Sequence, residues 1–322
     1  MADSLTDRDH RIGRHLKLRD LQILSAVVQW GGMGRAAGHL GVTQPSVSEA
    51  IASLEAAVGV KLLDRNSRGV APTIYATALL KRGSVIFDEL RQGLNDIEFL
   101  SDPNRGEVRI GCPETLMAGF LPAIIDKMSR AHPNVAVYVA HSDAATLEFR
   151  ELRERQIDLV LGRISSPQSD DELNVEDLFK ERYFVVAGAQ SRWARRRKIS
   201  LTELTQEPWV QMTPNTLINT IFVEAFHAQY LEPPRQSVTT LSMHLRIHLL
   251  ATGRYLSIIP ESMLIFNAKP WGLKILPIDL HVRPRSVVIF TLKNRTLGPA
   301  VQLFLQHARG LSNTMRGTVA GH

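Results

Sequence analysis

Residues 18 to 58 hold three short helical patterns broken only by glycine turns, and a chain with that opening has few ways to fold. Leu18, Leu21, Leu24 and Val28 recur at helical spacing until Gly31-Gly32 stops the pattern. Arg35 to Leu40 follows, turning Ala36, Ala37 and Leu40 inward, and Gly41-Val42 makes a tight turn. Thr43 then stands as an N-cap with Pro45 in the first turn, ahead of the apolar stripe Val47, Ile51, Leu54 and Val58. Across from that stripe, Gln44, Ser46, Ser48 and Glu49 are polar with no packing reason to be there. Helix, short helix, tight turn and a helix with a polar leading turn is the helix-turn-helix pattern, whose last helix enters the major groove by its N-terminal residues.

The segment KLLDRNSRGVAPT reads next as a basic hairpin, with Arg65 and Arg68 placed for phosphates or a minor groove. Residues 1–75 are therefore expected to form a winged helix-turn-helix domain. From 76 to 106 the spacing of Ala76, Leu79, Gly83, Ile86, Leu90, Gly93, Ile97 and Leu100 alternates between three and four, the seam of a helix that pairs with another. Leu79, Ile86, Leu90 and Ile97 are the expected dimerisation residues, with Gly83 and Gly93 admitting the partner helix closely. Ser101 to Gly106 is rich in turn formers and ends the linker.

Charge alone does not argue for nucleic acid. The chain of 322 residues carries +6 overall, yet residues 1–72 hold nine Lys/Arg against seven Asp/Glu, so the arrangement of residues must make the DNA case. A single cysteine, Cys112, excludes an internal disulfide framework and a cysteine-rich zinc module. No apolar run approaches the roughly 20 residues that span a bilayer, and the first residues lack the apolar core of a secretory signal. A cytoplasmic protein is expected.

Beyond the linker, strand-like runs at 108–111, 135–140, 158–162, 183–187, 256–259 and 286–292 alternate with helical stretches, which implies an α/β domain over 107–310. Residues 311–322 read as a flexible tail. The run Arg192-Trp-Ala-Arg-Arg-Arg-Lys198 reads as a solvated loop. Gly32-Met-Gly34-Arg-Ala-Ala37 imitates a dinucleotide fingerprint but follows a helix rather than a strand. His244 and His248 share a helix face without a third metal ligand. No nucleophile elbow, P-loop or zincin motif is present, so no catalytic residue, metal or cofactor is expected.

Residues 18 to 76, most densely AAGHLGVTQPSVSEAIASLEAAVGVKLLDR, resemble the N-terminal domain of the LysR-type transcriptional regulators. The order of winged domain, linker helix, GEVRIG and α/β region extends the resemblance over nearly the whole chain. It implies two periplasmic-binding-protein-like subdomains, about 107–180 with 277–310 and about 181–276, that hold a small effector in the cleft between them. It also implies promoter DNA as partner, a homo-oligomer (usually a tetramer) and a possible contact with RNA polymerase.

Carried over by position, Thr43, Gln44, Pro45, Ser46 and Ser48 are expected at DNA, with Gln44 reading adenine, and Arg65 and Arg68 in the wing. Gly32, Gly34, Glu49, Pro72 and Ala76 depart from the family's usual residues. For the effector, the strand VRIG leads through Cys112-Pro113-Glu114 into a helix near Thr115, where Thr115 and the amide of Leu116 are the first candidates. Arg163 follows at a strand end, and Ser142, Thr146, Pro214, Asn215 and Thr240 complete the set. A small carboxylate or sugar acid is the expected effector class. The competing readings are a solute-binding module without a transcriptional role, which the helix-turn-helix opposes, and an architectural DNA protein, which needs no ligand cleft.

Overall fold

The computed structural model describes residues 16–66, 69–142, 149–164, 170–235 and 238–319. These fall into two compact units, one ending at Arg91 and one beginning at Gln92.

In the first unit α1 (Leu18–Trp30), α2 (Met33–Leu40) and α3 (Gln44–Val58) pack around Leu24, Val27, Ala36, Val47 and Leu54, all buried. Each helix ends on a glycine with positive φ, at Gly31, Gly41 and Gly59, a conformation that suits glycine because it has no Cβ. A hairpin follows, β1 (Leu63–Asn66) antiparallel to β2 (Gly69–Pro72). Thr73 then caps α4 (Ile74–Ser101), its hydroxyl oxygen accepting from the Ala76 amide at 3.2 Å. Two expectations for α4 need correction. Leu79 packs half-buried against the core of the first unit, and a Cβ on Gly83 would stand 2.9 Å from Leu21 Cδ2. The tight approach at Gly83 is thus made by α1 of the same chain. Ile86, Leu90 and Ile97 remain exposed.

Among its described residues the second unit holds two larger sheets and a two-stranded pair. The largest has the order β4-β3-β5-β12-β6. Here β3 (Arg105–Cys112) runs parallel to β4 (Asn134–His141) and to β5 (Leu159–Ile164), while β12 (Arg285–Leu292) is antiparallel to β5 and to β6 (Leu173–Glu181). One face packs on α6 (Phe120–Ala131) and α11 (Pro299–Val319) through Val108, Ile110, Leu161, Ile289, Phe120 and Phe304. The expected tail is instead the last part of α11: Phe304, Ala308 and Met315 continue one apolar face, and Met315 is buried in the same core. Residues 320–322 lie outside the described set.

The smaller sheet, β10-β7-β11, is antiparallel throughout. It comprises β7 (Tyr183–Gly188), β10 (Leu256–Pro260) and β11 (Leu273–Ile275). With the parallel pair β8 (Val210–Gln211) and β9 (Val238–Thr239) it surrounds Trp209, Phe222 and Phe226. The last two lie on α8 (Leu217–His227). The chain passes between the sheets twice, at Glu181-Arg182-Tyr183 and again before Arg285. The run 192–198 lies on the surface, with Arg192 paired to Glu207, Arg196 paired to Glu203 at 2.8 Å, and both guanidinium groups over Trp193.

At the end of β7 a Cβ on Gly188 would fall 2.2 Å from the Leu250 carbonyl oxygen of α9 (Met243–Ala251). Backbone oxygen has no flexible end to move aside. Gly188→Ala is therefore expected to cost about 3 kcal/mol, measured as a drop in the midpoint of thermal unfolding relative to the parent.

Candidate DNA-reading surface and effector cleft

The leading turn of α3 is built by its cap. Thr43 Oγ1 accepts from the Ser46 amide at 3.4 Å and stands 2.8 Å from the Ser46 hydroxyl. Gln44, Pro45 and Glu49 are exposed. Ser48 is half-buried, its hydroxyl donating to Met33 Sδ at 3.2 Å. Gln44 Oε1 lies 3.5 Å from where a Cβ on Gly34 would be, so the small residue at 34 borders the glutamine amide.

The hairpin is tied to α3 through Glu55. Its carboxylate accepts from the Leu62 and Leu63 amides at 2.9 and 3.4 Å and pairs with Lys61 at 2.5 Å. Partial burial pushes its pKa up, but these donors outweigh that and hold it below the ordinary glutamate value. Arg65 faces Val70 in the hairpin register. The Arg65 side chain and the whole of Arg68 lie outside the described residues.

The second unit has a cavity at the carboxyl ends of its parallel strands, where open α/β sheets place ligands. Pro113, Glu114 and Thr115 follow β3, His141 ends β4 and Arg163 lies near the end of β5; Met212, Thr216, Leu217, Ile218 and Leu241 face them from the other subdomain. The cavity volume is about 30 Å³, room for about one water. The cleft is closed. Glu114 Oε1 accepts from the Met243 amide at 3.4 Å, and Asn267 Nδ2 donates to the Ala118 carbonyl at 3.0 Å. Both bonds cross between the subdomains.

Arg163 is the electrostatic centre of the cleft. It is buried, donates from Nη1 to Thr115 Oγ1 at 2.7 Å and from Nε to Glu181, and its Nη2 has no partner. Burial alone would lower its pKa; the Glu181 carboxylate more than offsets this and leaves it above the ordinary arginine value. Glu181, fully buried, also accepts from the Ser262 amide at 3.1 Å. Cys112 sits behind the cleft with its thiol pushed up by burial, inert as a nucleophile at neutral pH.

Thr115 and Arg163 are therefore brought together, as expected from their strand ends. Leu116 is not available: its amide donates to the Pro113 carbonyl at 2.9 Å and its side chain is core. The turn helix there, α5 (Glu114–Met117), spans only four residues. Ser142 and Thr240 adjoin the lining residues His141 and Leu241 without lining the cavity. Pro214 and Asn215 line a different groove, and Thr146 lies outside the described residues. Sequence reasoning missed Glu181, since nothing in a charged strand segment signals an inward carboxylate.

Fold and sites together define a DNA-reading module carried on a helix ahead of a two-subdomain ligand clamp. The profile described as bacterial regulatory helix-turn-helix protein, lysR family, matches residues 18–77, and that of the LysR substrate binding domain matches residues 101–312. The chain belongs to the LysR family of bacterial transcriptional regulators: it is a DNA-binding regulator whose activity is modulated by a small-molecule effector. Among relatives, the HTH-type transcriptional regulator GbpR of Azospirillum brasilense is 24% identical over 300 residues, 93% of this chain and 87% of that one. The HTH-type transcriptional regulator TdcA of Escherichia coli (strain K12) is 30% identical over 194 residues, 60% of this chain and 61% of that one. Among solved structures, a full-length OxyR variant from Pseudomonas aeruginosa has a TM-score of 0.63 at 19% identity, covering 92% of this chain and 95% of its own. Full-length CbnR complexed with its target DNA has a TM-score of 0.63 at 18% identity, covering 92% and 99%. Such likeness establishes the fold. Among the described residues no helix is long and apolar enough to cross a membrane.

Proposed function

We propose that Gln44 reads a base edge, adenine in particular, at the head of α3, with Thr43, Pro45, Ser46 and Ser48 around it and Arg65 and Arg68 holding backbone from the wing. Paired α4 helices join copies of the chain, and a homotetramer acts on promoter DNA in the cytoplasm, with RNA polymerase as the downstream contact. The chain is read as a regulator without catalytic chemistry. The effector-binding domain divides near 107–180 with 277–310 and 181–276.

The cleft is proposed to take a small carboxylate or sugar acid. The observation that supports this is the Arg163 guanidinium, buried at the strand ends with Nη2 unpartnered, in a residue that lines the cavity together with Thr115 and Thr216. A buried donor without an acceptor costs about 1–3 kcal/mol, and an effector carboxylate relieves it. Because the cavity admits about one water, binding requires the subdomains to separate first. The effector then biases the open against the closed arrangement by its different affinity for the two.

Thermal unfolding of the full chain with a panel of small carboxylates and sugar acids tests this. At least one is expected to raise the midpoint by several degrees, and Thr115→Val, which removes the hydroxyl beside Arg163, should abolish that rise. A rise of equal size in Thr115→Val would place the effector elsewhere.

A further inference from the structure

Pro214 and Asn215 belong to a groove that shares no lining residue with the cleft. Its volume is about 710 Å³, against about 30 Å³ for the closed cleft, so it is open to a ligand as it stands. Its polar wall includes Asn215, His227, His281, Arg283 and Arg285, with Glu224 as the one lining carboxylate. Two permanent positive charges thus face one negative charge, before either imidazole is counted.

Arg285 makes this more than a solvated basic patch. It is 8% exposed. Nη2 donates to Glu224 Oε2 at 2.5 Å and Nη1 to the Arg283 carbonyl at 3.2 Å, while Nε is buried without an acceptor. Arg283 is exposed beside it. Asn215 and His281 both hold left-handed backbone, at φ of 68° and 55°, a conformation costly enough outside glycine to need support from its surroundings.

We propose that this groove is a second ligand site, for a small oxyanion bearing two or more negative charges, held by Arg283 and Arg285. The site adjoins the crossing between subdomains. Arg285 opens β12 and pairs in register with Glu181, the residue that holds Arg163 in the cleft. An anion that draws Arg285 from Glu224 therefore acts one residue pair from the cleft, and its binding couples to that of the effector. The proposal does not depend on what the cleft binds.

The test is thermal unfolding of the full-length protein titrated with pyrophosphate and, separately, citrate, against sodium chloride at matched ionic strength. At about ten times its half-saturating concentration, at least one probe should raise the midpoint by about 3 °C or more beyond the salt control. Which probe acts distinguishes a phosphate-bearing from a carboxylate-bearing ligand. Arg283→Ala, an exposed change that leaves the fold intact, should remove at least half the rise, and Arg285→Lys should remove nearly all of it. Arg197→Ala, in the separate basic run, should leave it unchanged. No rise beyond the salt control overturns the proposal. So does a rise that survives Arg283→Ala but is lost in Thr115→Val, which would put the anion in the cleft, or one lost in Arg197→Ala, which would put it on the basic run.

Discussion

Glu181→Gln is expected to destabilise the second unit by about 3–5 kcal/mol, because it leaves a buried guanidinium without its anion. Arg163 and Glu181 have side chains 4% and 0% exposed, so little solvent screens the loss. The amide keeps the shape of the carboxylate, but both Glu181 oxygens accept, from Arg163 Nε and from the Ser262 amide, so its NH2 must also face one of these donors and the loss combines charge with one hydrogen bond. Unfolding midpoints should fall by roughly 10 °C. The double variant Arg163→Met with Glu181→Gln should recover most of that, since removing both charges removes the uncompensated one, yet it should not regain any response to effector. A loss below about 1 kcal/mol in Glu181→Gln would mean that the pair is not what holds the strand ends together.

Leu90→Glu combined with Ile97→Glu is expected to split the oligomer and to lower affinity for a two-half-site operator by about 100-fold or more. Ile86, Leu90, Leu94 and Ile97 are 44%, 49%, 64% and 61% exposed on one helix, an apolar strip of the kind that marks an interface. Carboxylates placed in it cannot be buried unpaired. Sedimentation velocity should show a lighter species, with helix content and the unfolding midpoint nearly unchanged. Leu79 behaves differently, because it supports the core of its own unit: Leu79→Ala should lower stability and leave the mass unaltered. An unchanged mass for the double variant would remove α4 as the contact between copies.

Much of this was legible in the sequence because it depends on periodicity. The three opening helices, the long α4 and six strands follow from apolar spacing and glycine stops. The strand β6 was not, since Asn174, Glu176, Asp177, Lys180 and Glu181 break its apolar alternation. As the edge of its sheet it needs only one covered face. The end of α11 was hidden by glycine and polar residues around Met315, whose burial only the packed core reveals. In the cleft, Thr115 and Arg163 were readable as strand-end positions. Their partner Glu181 was not, because it comes from the crossing between subdomains, and a crossing has no local signature. Pro214 and Asn215 were expected in the effector cleft but line a separate groove, because which side of α8 they face depends on its packing angle. Arg246, fully buried and bonded to Ser257 and to the Ile258 carbonyl, gave no sequence sign of its burial; desolvation lowers its pKa to about 10, which still leaves it charged at neutral pH.

Binding of the full-length protein to the DNA upstream of its own gene, beside a scrambled duplex and across a salt series, tests the central reading most directly. The parent should prefer the upstream duplex. Gln44→Ala should lose about 10- to 100-fold of that preference, the value of one bidentate base contact, with the salt dependence unchanged because phosphate contacts remain. Equal, salt-sensitive affinity of the parent for both duplexes would contradict sequence-specific reading by α3 and leave only backbone binding.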